Sequence, residues 1–459
     1  MSLPHALGKM LSLQPSSSGV VEQQIKHSMI GRKKFEYNLE ALRGSAAFTV
    51  LLMHLSSYSF ELNGTAEASG IFFPYQFPGH FAVLLFFMLS GYVIGLTTRQ
   101  PLTWATTGAY LKKRFLRLYP IYVAGILFVL CFTHRHYSFT AISTNLAFLQ
   151  GAAAPPLEEI AVIWSLHYEV LFYLLFIPIS VFALKPAHCF VFSLLWAFFF
   201  QLVVPALLLA TYGYGFCFWT LGLWLAQTER VMPARPSRYT LLGLLFLMLA
   251  SNSLNIVRDV LHFQLHTDLM RRGPQPQVNS MIIPFSDFSY LPLALLVITS
   301  FTDKRLRYRS WLMAFVLAVP VGGFLLQLYH ARTQAVNYQY FAYLFYLVSV
   351  VLLLLGSRRA PADNQLPKFM VALGSISYGV YLIHVPLIML MGRVSPFSGT
   401  ATSWVVRALL VIGLSLVAGY LLEKVCQPFA VRQLKKTALF KSASSATLAT
   451  TKQTFMEEA

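Results

Sequence analysis

The stretch Leu39-Glu40-Ala41-Leu42-Arg43-Gly44-Ser45-Ala46-Ala47-Phe48-Thr49-Val50-Leu51-Leu52-Met53-His54 is apolar enough to enter a bilayer, yet it carries a permanent cation and a titratable ring. Read as a helix at ~100° per residue, the step from Arg43 to His54 makes three turns plus ~20°, so both side chains share one face ~16 Å apart along the axis. Ionisable groups in hydrocarbon cost several kcal/mol and face a protein interior or a wet cavity. This stripe is therefore the first candidate functional surface.

Composition says that the surrounding solvent is lipid. The chain of 459 residues is 56% hydrophobic and 11% charged, with mean hydropathy +0.60, whereas soluble domains carry about 25% charged residues. Apolar runs fall near 39–58, 80–98, 118–133, 163–184, 188–210, 212–227, 239–255, 289–302, 310–329, 339–356, 373–391 and 402–422. Several are short or interrupted by Pro178, Pro205 or Pro320, so the expectation is an all-α polytopic transmembrane bundle of ten to twelve helices. Runs of this length satisfy their backbone in lipid as helices.

Charge sidedness tests that map. With the N-terminus inside, the inner segments hold 28 of the 35 Lys and Arg residues, the outer segments hold Arg135, Arg258, Arg271, Arg272, Arg332 and Arg393, and Arg407 lies within a run. Both termini are expected in the cytoplasm of a multi-pass plasma membrane protein, a bacterial inner membrane protein if the source is bacterial. The net charge of +18 then belongs to membrane flanks, and no nucleic-acid partner is expected.

Residues 1–38 read as a polar cytoplasmic segment without an apolar signal core, 39–428 as the membrane domain, and 429–459 as a basic, Ser/Thr-rich disordered tail. Cys131, Cys189, Cys217 and Cys426 lack CxxC spacing and read as small hydrophobes. His134 and His136 alternate in a loop without further ligands, so no metal site is expected.

Polar residues concentrate in the first 170 positions. Ser90 and Gly91, in Phe86-Phe87-Met88-Leu89-Ser90-Gly91-Tyr92, suit either a small-residue packing notch or a site. Arg114 and Arg117 are three apart and share a helix face; two guanidiniums side by side suit phosphates, although basic flanks of membrane helices look the same. In Trp164-Ser165-Leu166-His167-Tyr168-Glu169, Glu169 is the only acid well inside an apolar run. It must be protonated or paired with an arginine or histidine, for chemistry or for structure. Tyr378, Tyr381 and His384 follow on related turns, and a histidine beside aromatics is more often structural.

Together these segments resemble the acyltransferase-3 family of integral-membrane O-acyltransferases. The likeness rests on the Arg-x10-His of Arg43 and His54, Ser90-Gly91, the RxxR of Arg114 and Arg117, the Trp-Ser-Leu-x-x-Glu ending at Glu169, and the Ile-Ser-Tyr-x-x-Tyr-Leu-x-His ending at His384. Leu39-Glu40-Ala41-Leu42-Arg43-Gly44 looks like the family's Leu-Asp-Gly-Leu-Arg-Gly, with conservative departures at Glu40 and Ala41. Some relatives add a C-terminal extracytoplasmic hydrolase-like domain, and this chain is expected to act without one in cis.

The resemblance implies acyl-CoA, with acetyl-CoA favoured, as donor substrate, no permanently bound cofactor, and a hydroxyl acceptor such as a glycan, a lipid-linked sugar or an exported small molecule. On that expectation Arg43, Arg114 and Arg117 hold the donor's phosphates, and ~16 Å suits a pantetheine arm reaching inward. His54 is the expected catalytic base, and Glu169 its orienting or charge-stabilising partner. Ser90, Trp164, Tyr378 and His384 are expected to bind substrate or support the site. The alternatives are a secondary transporter of a small solute, which would usually show two related halves, and a non-catalytic membrane scaffold.

Overall fold

The computed structural model describes residues 17–57, 75–203, 207–228, 236–261, 283–332, 339–358, 365–394 and 401–437, with side chains of the first helix described from Tyr37 onward. Pro205, Arg271, Arg272 and the end segments 1–16 and 438–459 lie outside the described residues. The elements are α1 (Ser17–Ser57), α2 (Gly79–Thr97), α3 (Trp104–Phe132), α4 (Phe139–Leu146), α5 (Trp164–Val181), α6 (Pro186–Leu202), α7 (Leu207–Gln227) and α8 (Arg238–Ala250). They continue with α9 (Leu291–Phe301), α10 (Arg309–His330), α11 (Tyr340–Arg358), α12 (Lys368–Gly374), α13 (Ser377–Met391), α14 (Ala401–Tyr420) and α15 (Gln427–Lys436). The protein is an all-α helical bundle, and no strand occurs among the described residues.

Every apolar run of the sequence overlaps helix, the run at 188–210 being divided between α6 and α7. Among the described residues seven helices are long and apolar enough to cross a membrane, or eight if α12 and α13, bent by 75° at their junction, count as one span. Pro186–Leu202, Arg238–Ala250 and Phe285–Phe301 are shorter apolar helices. This is a multi-pass membrane protein with a graded interior. The apolar window of α2 is 67% buried by the rest of the bundle, that of α11 only 11%. The exposed apolar residues of α10 and α11, such as Phe315, Leu325, Leu347 and Val351, face outward to lipid.

Lipid tails are as apolar as leucine, so membrane helices associate through close packing. Two crossings go down to bare backbone. A Cβ on Gly91 of α2 would lie 2.0 Å from the Trp219 carbonyl oxygen of α7, and one on Gly222 of α7 would lie 1.9 Å from that of Met88. Gly95 meets Leu223 and Ala226 farther along, so α2 and α7 run in the same direction and end side by side at Thr97 and Thr228. At the second crossing, a Cβ on Gly374 of α12 would sit 1.9 Å from the Glu40 carbonyl oxygen of α1, and one on Gly44 would meet the Met370 oxygen at 2.4 Å.

Two boundaries differ from the apolar pattern. The run at 118–133 predicts a helix beginning near 118, but α3 begins at Trp104 because Thr103 and Thr106 form a reciprocal capping box. Arg114 and Arg117 therefore sit inside a helix, several turns from its start. The tail expected to be disordered from 429 starts as helix α15, with Val431 and Leu434 half-buried and Gln427 Nε2 donating to the Arg117 carbonyl at 2.8 Å. Apolar residues three apart give this basic segment a face to dock, which composition alone hides.

The glycine crossings yield a test. Gly222→Ala should destabilise the detergent-solubilised protein by about 1–3 kcal/mol, the usual cost of overpacking, in thermal unfolding. Gly108→Ala on α3, where a Cβ meets nothing within 4 Å, should be neutral or stabilising; equal behaviour of the two variants would discard the close-packing account.

Candidate active site

A cavity of about 780 Å³ of empty space, its open mouth included, runs between α1, α2, α3, α5 and α13. Arg43, Ser90, Arg114, Arg117, Glu169 and Tyr378, named from the sequence, all line it, as do Ser165, Tyr173 and Tyr381. Six residues spread over more than 300 positions thus converge on one space.

The lining is set by helix periodicity. On α2 the stripe Val83, Phe86, Phe87, Ser90 and Val93 faces the cavity, while Gly91 turns to α7. The Ser-Gly pair accordingly serves both readings, Gly91 as the packing notch and Ser90 as the cavity hydroxyl. On α1, Gly44 is pressed against α12 and its neighbour Arg43 projects into the cavity. The break between α12 and α13 matters as well: it brings Ser377 and Tyr378, at the N-terminal end of α13, to the wall. That end carries the positive side of the helix dipole.

Cations and carboxylates interleave here. Arg43 Nη1 pairs with Glu40 Oε1 at 2.7 Å. Arg114 is buried, donates from Nη2 to Thr97 Oγ1 at 3.1 Å, and lies 5.5 Å from the ring centres of both Tyr110 and Tyr173. Its Nε has no hydrogen-bond partner among the described residues. A guanidinium so desolvated is held by ring quadrupoles and retains donor capacity. Glu169 accepts from the Tyr173 hydroxyl and from Ser90 Oγ, the latter at 3.3 Å. Among the described residues neither an arginine nor a histidine bonds Glu169 directly, and hydroxyls take the place of the expected cationic partner. Glu423, in the π-helical turn Leu421–Cys426, accepts from the Gly379 amide at 3.3 Å and so caps the start of α13.

The histidines lie beyond the cavity. His384, fully buried on α13, places Nε2 3.0 Å from Nδ1 of His54. Nδ1 of His384 is 3.1 Å from the Val380 carbonyl, and Nδ1 of His54 is 3.1 Å from that of Val50. A carbonyl only accepts, so these contacts assign Nδ1–H to both rings; the one Nδ1–H of His54 is then shared between the Val50 carbonyl and His384 Nε2, and Nε2 is the unprotonated nitrogen of His54. His384 is thus a hydrogen-bond partner of His54, in the position where Glu169 was expected. Between cavity and histidines stands Tyr381, whose hydroxyl is 2.7 Å from Ser165 Oγ and donates to the Val162 carbonyl at 3.0 Å. The Tyr381 and His384 rings are 6.0 Å apart.

Sequence reading missed a second polar centre, at the opposite end of α2 from Arg114. His80 Nε2 is 2.6 Å from Oδ2 of Asp287, which is completely buried. The His80 ring stacks on Trp164 at 6.0 Å and 16°, so Trp164 packs against this pair and is not among the cavity-lining residues. His80 continues the stripe of Val83, Phe87 and Ser90 by one turn, which places the pair outward of the cavity. Asp287 and His80 escaped notice because both sit at the edges of apolar runs, where charges read as flanks. Glu159 is likewise buried, accepting from Thr133 Oγ1 at 2.5 Å and from the Tyr137 hydroxyl. Position within a run therefore does not identify the most buried acids.

With this geometry in view, the family profile described as an acyltransferase domain, acyltransferase-3, matches residues 36–424. The chain belongs to the acyltransferase-3 family. It is a membrane acyltransferase, and membership implies an acyl donor and a hydroxyl acceptor. Neither a curated protein nor a solved structure matches the chain. The matched region contains the cavity, both histidines and the His80–Asp287 pair.

A double-mutant cycle tests whether that pair acts as a unit. His80→Ala, Asp287→Ala and the double variant, compared by thermal unfolding, should give a coupling energy of about 0.5–3 kcal/mol. Strictly additive effects would show that the carboxylate does not depend on the imidazole.

Proposed function

We propose that the protein transfers an acyl group, acetyl in the simplest case, from acyl-CoA to a hydroxyl of a carbohydrate or other envelope or exported acceptor. The observation that carries this reading is the convergence of Arg43, Arg114 and Arg117 on one open cavity whose far end stops at Tyr381, one turn from His384. Three guanidiniums and the start of α13 suit the phosphates of coenzyme A. From Arg43 the pantetheine arm would follow α1 inward past Ser90 and Glu169, covering the ~16 Å of helix that separates Arg43 from His54.

On this reading Tyr381 is a removable plug. Its rotation away from Ser165 would join the cavity to His54. The acceptor hydroxyl then gives its proton to His54 Nε2 while its oxygen attacks the thioester carbonyl. As the carbon–sulfur bond breaks, the proton passes from His54 to the departing thiolate, leaving the ester and CoA–SH. His384 acts as a positioning residue: its Nε2 accepts from His54 Nδ1–H and steadies the imidazolium that forms. Glu169, bonded by Ser90 and Tyr173, is assigned to the electrostatics of the donor cavity and keeps the local charge near balance with Arg117.

With the Arg114 end facing the cytoplasm, the donor enters from inside and the acceptor from the His80 end. A plasma membrane location with both termini cytoplasmic fits this direction of transfer.

Membranes or purified protein supplied with radiolabelled acetyl-CoA test the scheme. His54→Ala should abolish label transfer, by 10²-fold or more for loss of a general base, as is typical of such catalysis, while donor binding persists. Arg114→Gln should instead weaken retention of labelled CoA. Full transfer by His54→Ala would overturn the assignment of the base.

A further inference from the structure

A second cavity, with about 950 Å³ of empty space to its open mouth, lies between the ends of α8, α9 and α10. Its wall includes Lys304, Arg305, Arg307 and Arg309, four cations within six residues, against a single carboxylate, Asp303. Thr240, Thr299, Ser300 and Ser310 contribute hydroxyls. None of these residues lines the donor cavity.

The placement of this loop follows from packing already described. Helices α2 and α7 run in parallel and end together; Thr97 at the end of α2 accepts from Arg114, and Thr228 just past α7 accepts from Lys304 through its backbone carbonyl. The basic cavity therefore opens at the same membrane face as the arginines of the donor site. Asp303 turns the chain with a left-handed φ of 51° and sends Arg305 and Arg307 along an irregular segment rather than along a helix.

Ordinary flanking lysines and arginines would be dispersed in water. Here they are gathered around a concavity. Among the described residues, Arg305, Arg307 and Arg309 have no carboxylate within ion-pair distance. Arg309 is held by Ser300, its Nη2 donating to Oγ at 2.7 Å, which fixes one edge of the guanidinium and leaves further donors. Arg305 and Arg307 are exposed.

The depth of the cavity in the membrane is marked independently. Tyr308 and Trp311, at the start of α10, are 64% and 79% exposed, and amphipathic rings of this kind settle at the headgroup level of a bilayer. Basic pockets at that depth recognise anionic headgroups through their phosphates. We infer that the cavity walled by Lys304, Arg305, Arg307 and Arg309 is a seat for the phosphate of an anionic phospholipid headgroup, separate from the acyl-donor site. A bound lipid would tie the loop between α9 and α10 to the bilayer surface on the donor-entry face.

The test uses the full chain in detergent with phosphatidylglycerol or phosphatidylcholine at equal concentration, followed by native mass spectrometry of retained lipid. Wild type should retain phosphatidylglycerol in preference to phosphatidylcholine. Arg305→Gln and Arg307→Gln should each weaken that retention about fivefold, the effect of one basic residue near an anionic surface. Both side chains are exposed, so folding should survive, and Lys113→Gln, at a basic residue outside the cavity, on α3 near the same face, should leave retention unchanged. Equal retention of the two lipids, or equal loss in Lys113→Gln, would reduce the loop to sidedness charge and overturn the inference. A further arm adds inorganic phosphate or coenzyme A at millimolar concentration: displacement of phosphatidylglycerol from wild type by either would reassign the seat to a soluble anion. Because this readout needs no acyl transfer, failure here is distinct from failure of the enzymatic proposal.

Discussion

A guanidinium cannot be left in hydrocarbon, and that constraint organises the centre of this bundle. Arg43, Arg114 and Arg117 come from two helices that must present them inward. The surrounding groups are those able to replace water: the Glu40 carboxylate on Arg43, and the faces of Tyr110 and Tyr173 with the Thr97 hydroxyl around Arg114. The resulting arrangement is stable and incompletely satisfied, since Arg114 retains an unmatched Nε. An interior that solvates its cations only in part is prepared for an anion.

Holding those cations inward requires the helices to approach closely elsewhere. Gly44 and Gly374 let α1 and α12 touch through backbone, and Gly91 with Gly222 does the same for α2 and α7. Each crossing also turns the adjacent residue toward the cavity, Arg43 beside Gly44 and Ser90 beside Gly91. Motifs that pair a reactive residue with a glycine therefore combine a chemical group with the contact that aims it. The bend after Gly374 adds a helix start to the cavity wall, which a continuous span would have carried past it.

The interior is polar at more than one depth. The arginine-lined cavity occupies the Arg114 end, the His54–His384 contact lies beyond Tyr381, and His80–Asp287 holds the other end of α2. Met53, beside His54, packs directly on Gly79, beside His80, so the two histidine centres lie at a similar depth. Tyr381 separates the first two while touching both environments, lining the cavity on one side and standing 6.0 Å from the His384 ring on the other.

Composition and apolar periodicity alone determined that the chain is an α-helical membrane protein, because lipid allows few ways to satisfy a backbone. Ordered motifs identified its family, and helix geometry put Arg43 and His54 on one stripe, since those relations are local or reside in residue identity. Only the tertiary structure decided that His384, and not Glu169, meets His54; that Ser90 meets Glu169; and that, among the described residues, Asp287 and Glu159 are the most buried acids. Partners 79 to 330 positions apart are chosen by how helices cross, and a crossing depends on the fit of whole faces. A residue at the edge of an apolar run has no sign of which neighbour will cover it.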